Sequence, residues 1–107
     1  MLKKESSADE LLAMIRSGEA VALDVREDDE REAKDLSVPS EHLPLSRMSE
    51  RVFDDFLTAL GATTKVVIYC ASGGRSQRVV NHFSDKAAKA GVELLNLPGG
   101  VLKNAGK

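Results

Sequence analysis

The chain has one cysteine, no tryptophan, one tyrosine, three phenylalanines, three prolines and two histidines in 107 residues. A single cysteine excludes an internal disulfide, and with two histidines and no second thiol it excludes a thiolate-rich zinc set. No metal site and no organic cofactor are therefore expected. Near the middle the longest stretch without a charge runs from Val66 to Gly74, far short of a membrane span. The first residues also lack an apolar core followed by a cleavage site, so a cytoplasmic protein is expected. Positive charge is not in excess either. Fifteen basic and 17 acidic residues leave a net charge of -2, which offers no field for a nucleic-acid backbone or an anionic membrane.

What remains is the composition of an ordinary globular domain, 42% hydrophobic and 30% charged. The length suits one core, and a single domain over 1–107 is expected. No internal repeat or low-complexity linker divides it. Nothing in the sequence gives ground for a dimer, so a monomer is expected.

Ser7-Ala8-Asp9-Glu10 is a capping-box pattern before Leu11, Leu12 and Ile15, and predicts a short helix ending at Gly18. Val21 to Val25 reads as a buried strand with Asp24 at its end. Glu27 to Lys34 is dense in charge and reads as an exposed helix held by neighbouring ion pairs, with a solvated face. Pro39 and Pro44 flank an extended or turning segment in which His42 and Leu43 could form a short strand. Val52, Phe53, Phe56, Leu57 and Leu60 recur at helical spacing before Gly61, and their aromatic pair is expected in the core. Lys65 to Tyr69 carries Val66, Val67 and Ile68 in succession, the pattern of a strand buried on both faces of a parallel sheet. A helix marked by Val79, Val80, Phe83, Ala87 and Ala90 ends at Gly91. Val92 to Leu97 predicts a further strand, Pro98-Gly99-Gly100 a turn, and the tail no more than one helical turn. Alternating strands and helices predict an α/β fold, a mainly parallel sheet of about five strands with helices on both faces.

Between the central strand and the longest helix stands Cys70-Ala71-Ser72-Gly73-Gly74-Arg75-Ser76. Ligands of such sheets bind beyond the carboxyl ends of the strands, where this loop and Asp24-Val25-Arg26 both fall. A loop closing onto a helix N-terminus turns backbone N–H groups toward one point and adds the positive end of the helix dipole. Gly73 and Gly74 permit positive φ, Arg75 adds a fixed charge, and Ser76 adds a hydroxyl near the cap. A cysteine by itself at a strand end reads as a small buried hydrophobe. A core cysteine, however, has no need of two glycines, an arginine and a cap directly after it. In that setting the thiolate is the favoured form, and Cys70 is the candidate nucleophile.

Three segments in order carry a family resemblance. Leu23-Asp24-Val25-Arg26-Glu27 resembles the strand-end motif of rhodanese-like domains. Tyr69 to Ser76 resembles their active-site loop, and Leu97-Pro98-Gly99-Gly100-Val101 their closing turn. The resemblance extends from about Ser7 to Val101. It implies a single-domain sulfurtransferase of the thiosulfate (rhodanese) type, in which Cys70 bears the sulfur as a persulfide. Ala71, Ser72, Gly73, Gly74 and Arg75, with Ser76, would surround it. Asp24 and Arg26 would brace the site as an ion pair. The donor would be thiosulfate or a persulfide, the acceptor cyanide, a small thiol or a partner protein. The chain departs from the family where Leu36 to Glu41 replaces a histidine-containing loop, where Arg31 stands in place of a common aromatic, and where Lys103-Asn104-Ala105 replaces a tryptophan-containing ending. His42 and His82 are expected on the surface.

Two other classes compete. Cysteine phosphatases and arsenate reductases also use a cysteine, a ring of amides and an arginine, but with five residues between the two; here four intervene. A non-catalytic binding module could keep the fold, but would have no use for an intact Cys70, Gly73, Gly74 and Arg75.

Overall fold

Side chains of a strand alternate between its faces, and the central strand uses both faces for core. In the computed structural model, which describes residues 6–107, Val66, Ile68 and Cys70 point into one apolar layer and Val67 and Tyr69 into the other. That strand, β3 (Lys65–Tyr69), lies in a four-stranded parallel sheet with β1 (Val21–Asp24), β2 (Glu41–His42) and β4 (Glu93–Asn96), in the order β2-β1-β3-β4. The fold is α/β, as the alternation of elements predicts. The sheet has four strands where about five are expected, one at each of the four segments that carry a strand pattern, and the chain after β4 turns at Pro98-Gly99-Gly100 into a short helix. The expected strand at His42-Leu43 is displaced by one residue, and Leu43 continues the pairing by donating its N–H to the Asp24 carbonyl at 2.9 Å.

Helices cover both faces. On one lie α1 (Ala8–Ser17) and α5 (Gly100–Asn104), with Leu11, Leu12, Ile15 and Val101 packed on Ala22, Val67 and Tyr69. The Ser7–Glu10 capping box forms as the sequence predicts, and Gly18 ends α1 at φ 84°. On the other face α3 (Glu50–Ala59) and α4 (Gly74–Lys89) enclose Leu23, Val66 and Ile68 with Phe53, Val79 and Phe83. Phe53 and Phe83 stack at 4.1 Å between centroids, so the aromatic of α3 is core as expected, with Phe56 packed at its margin. The remaining helix, α2 (Asp28–Ala33), buries no residue, yet it lies across the carboxyl end of β1. Among the described residues no helix is long and apolar enough to cross a membrane.

Candidate active site

The site begins where β3 ends. Cys70 leaves the strand at the sheet centre, and the chain reverses through Ala71, Ser72 and Gly73 into α4. Gly73 occupies the N-cap position at φ 106°, a conformation that admits glycine and few other residues. Its left-handed turn aims the first amides of α4 back at the cysteine. The Gly73 N–H donates to Cys70 Sγ at 3.1 Å, and the Ser76 N–H at 3.4 Å. The Ser76 hydroxyl also lies 3.4 Å from the sulfur.

Cys70 exposes no surface, and burial pushes its thiol pKa up. The hydroxyl of Ser76 and the amides of Ser76, Gly73 and Ser72 outweigh that effect, and the net direction is down. The thiolate is thus stabilised chiefly by hydrogen bonds.

A second turn locks the loop from outside. Val101 donates its N–H to the Cys70 carbonyl at 3.0 Å and Leu102 to the Ala71 carbonyl at 2.9 Å. The Cys70 and Ala71 carbonyls are therefore satisfied outward while the Gly73 and Ser76 amides face the sulfur. This approach leaves no room for a side chain at Gly100: a Cβ there would stand 2.3 Å from the Cys70 carbonyl oxygen, and φ is 52°.

Arg75 does not reach freely into the loop. Its guanidinium forms a fork with Glu30 of α2, Nη1 to Oε1 and Nη2 to Oε2, both at 2.7 Å. This bond lowers the Glu30 pKa to about 2 and raises that of Arg75. Cys70 is near enough to contribute to the Arg75 shift, so the charge still faces the sulfur, compensated by Glu30 from behind. The expectation that Glu27 to Lys34 presents only a solvated face is corrected here. α2 sits at the end of β1, and Glu30 enters the site.

Asp24 and Arg26 fix that placement. Both are buried, Asp24 with no exposed surface and Arg26 at 2%. Arg26 Nε donates to Asp24 Oδ1 at 3.0 Å and Nη2 to Asp24 Oδ2 at 2.9 Å. Nη2 also meets Asp35 at 3.0 Å, while Nη1 donates to the carbonyls of Lys34 at 2.7 Å and Glu30 at 3.2 Å. One guanidinium thus ties the end of β1 to the far end of α2, which holds Glu30 against Arg75. Arg31, in the position of an aromatic in the family pattern, reaches Asp24 at 3.2 Å and Ser40 at 3.0 Å. Tyr69 completes this cluster by donating its hydroxyl to Asp35 at 2.7 Å, and burial raises its pKa strongly.

Of the sequence-derived residues, Cys70, Gly73, Ser76 and the Ser72 amide converge on the sulfur, with Arg75 beside it. Ser72 and Gly74 are exposed, Ala71 half-buried. Asp24 and Arg26 stand one layer away. Both histidines are engaged elsewhere: half-buried His42 with the Arg26 carbonyl at 2.8 Å, and exposed His82 with Glu50 at 2.8 Å. Among the described residues no cluster of histidine, cysteine or carboxylates is arranged to hold a metal ion. No local sequence pattern marks Glu30 or Asn96; Asn96 Oδ1 lies 2.5 Å from the Ser76 hydroxyl.

The family model of the rhodanese-like domain matches residues 7–105. The chain belongs to this family. Solved structures agree with the rhodanese-like fold. A rhodanese-related protein from Thermoplasma volcanium is 24% identical, covering 94% of this chain and 89% of its own, with a TM-score of 0.68. A rhodanese-like domain protein from Staphylococcus aureus is also 24% identical, over 97% and 95% of the two chains, at 0.67. An As-Sb reductase from Leishmania major shares 20% identity over 92% of this chain and 74% of its own, at 0.76. Comparison with curated protein sequences gives no match.

Proposed function

We propose that this rhodanese-like domain is a sulfurtransferase carrying a sulfane sulfur on Cys70. The observation that carries this reading is the convergence of the Gly73 and Ser76 amides on Cys70 Sγ at the N-terminus of α4. Such a cradle favours an anionic sulfur, first the thiolate and then the persulfide.

The Cys70 thiolate attacks the outer sulfur of the donor. With thiosulfate, the new S–S bond forms as the donor's S–S bond breaks, and sulfite leaves with the electron pair. Cys70 is left as a persulfide anion. In the second step cyanide or a thiolate attacks the outer sulfur, thiocyanate or a new persulfide departs, and the Cys70 thiolate is restored. A thiol whose pKa is lowered by its hydrogen bonds has less need of a general base, which suits a site whose two histidines are occupied elsewhere. No second cysteine exists to resolve the persulfide within the chain, so the acceptor comes from outside. The domain acts as a monomer in the cytoplasm on this reading.

The reductase from Leishmania raises arsenate reduction as a second reading, and a cysteine in an amide cradle raises phosphate release. Both need a ring that encloses a tetrahedral oxyanion. Only four residues separate Cys70 from Arg75, and Arg75 is already bound by Glu30.

Thiocyanate release from thiosulfate and cyanide tests the reading, with arsenate reduction and aryl-phosphate hydrolysis measured alongside. The expected result is thiocyanate release by the native protein, none by Cys70→Ser, and neither of the other activities. Arsenate reduction without thiocyanate release would replace sulfur transfer by the second reading.

A further inference from the structure

The Ser76 hydroxyl has one hydrogen and three acceptors within reach. Asn96 Oδ1 lies at 2.5 Å, the Gly73 carbonyl at 3.2 Å and Cys70 Sγ at 3.4 Å. O–H···O bonds are ordinarily about 2.7–2.8 Å, so the contact to Asn96 is the one that the proton favours. One hydroxyl carries one proton, so the sulfur receives only the longer and weaker share of it. Ser76 exposes no surface, so water does not compete for it.

Asn96 is well placed to hold that proton. It is the last residue of β4, paired in register with Ile68, two residues before Cys70. The next residue, Leu97, donates its N–H to the Ile68 carbonyl at 3.0 Å, so the strand end is anchored. The closing turn begins directly after it. Asn96 thus belongs to the same rigid frame that grips the loop carbonyls.

We infer that Asn96 is a positioning residue of the Cys70 site: its side-chain oxygen takes the larger share of the single Ser76 hydroxyl proton and leaves the sulfur the weaker one. The hydroxyl then stabilises the thiolate less than an undivided donor would, beside the backbone amides. The charged groups that face the sulfur are Arg75 of α4 and, behind it, Glu30 of α2. They are unchanged by any substitution at Asn96.

The chemistry of sulfur attack gives the restraint a purpose, and here the inference rests on the proposed sulfur transfer. Nucleophilicity falls as a thiol becomes more acidic, and the best attacking thiol titrates near ambient pH. A full set of three donors would make Cys70 more ionised but a poorer nucleophile. Asn96 keeps it between those limits.

The test is a pH titration of the thiolate by its ultraviolet absorbance, in the native protein, Asn96→Val, Ser76→Ala and the double variant. The chain has one tyrosine, and Tyr69 is held well above its ordinary pKa, so the thiolate signal stands apart. In N96V the remaining acceptors are the Gly73 carbonyl and the sulfur, and the anionic sulfur, as the charged acceptor, gains the proton's larger share. The midpoint should fall, so that at pH values below it the thiolate fraction rises about three- to tenfold. The rate of alkylation by iodoacetamide at its high-pH plateau should drop about two- to threefold. In the S76A background the N96V change should shift neither quantity. Asn96→Ala, checked for folding by circular dichroism, gives the same comparison if valine is not tolerated. An unchanged midpoint, a midpoint that rises, or a shift that persists without Ser76 would each overturn the assignment. Ionisation is read without any sulfur donor. Variants that titrate as expected in a protein that takes up no sulfur would therefore contradict the proposed activity and leave the role of Asn96 intact.

Discussion

Cys70 gains its character from opposed effects of unequal origin. Burial favours the neutral thiol, and hydrogen bonds from α4 favour the thiolate. The Arg75–Glu30 fork adds an ion pair beside it whose acid limit can be stated. Glu30 titrates near pH 2 in the folded protein against an ordinary value of 4.5. A lowered folded-state pKa stabilises the fold fully above the unfolded value and loses that effect as pH falls toward the folded one. Glu30→Gln should therefore lower the urea midpoint at neutral pH, and the difference from the native protein should shrink between about pH 4.5 and pH 2. Urea titrations across that range check it. A difference independent of pH would mean that the fork adds nothing through charge.

At the scale of elements, the site is a junction of three chain segments, and their legibility in the sequence differs for a physical reason. The Ser7–Glu10 box, the glycine after α1 and the Cys70-to-Ser76 loop are written in contiguous residues, and the structure forms each where the pattern places it. Glu30 and Arg75 stand 45 residues apart, and Ser76 and Asn96 20 apart. No local pattern links them; only the parallel crossovers bring β1, β3 and β4 side by side. Charge density alone makes α2 look like a solvated helix, and it does bury nothing, yet one of its carboxylates reaches Arg75 beside Cys70. The tail reads as a helical turn and forms one, but no local pattern says that this turn closes on the cysteine loop. α5 caps the loop. Gly100→Ala tests that junction: its Cβ would meet backbone oxygens of Cys70 and Ala71 at 2.3 and 2.6 Å. A loss of about 3 kcal/mol or more in a denaturant titration is expected, together with loss of the protected amides of Val101 and Leu102 in hydrogen exchange.

At the scale of the molecule, two apolar layers hold a short sheet whose carboxyl end carries all the site residues named here except those supplied by α2. The layer beneath Cys70 depends on few large side chains, chiefly the stacked Phe53 and Phe83. Phe83→Ala should cost about 3–5 kcal/mol in a denaturant titration, a large share of the stability of a domain this small. A loss under 1 kcal/mol would mean that α4 is held by its cap and loop contacts instead. The central claim, that this frame exists to hold a sulfur on Cys70, is tested most directly by intact mass. The reduced protein is incubated with thiosulfate, freed of excess reagent, and weighed before and after cyanide. A gain of one sulfur atom on Cys70 is expected, reversed by cyanide with thiocyanate released, and no gain in Cys70→Ser. An unchanged mass after thiosulfate and after a small persulfide donor, in a folded protein with a titratable thiol, would contradict it and leave a rhodanese-like fold used for binding alone.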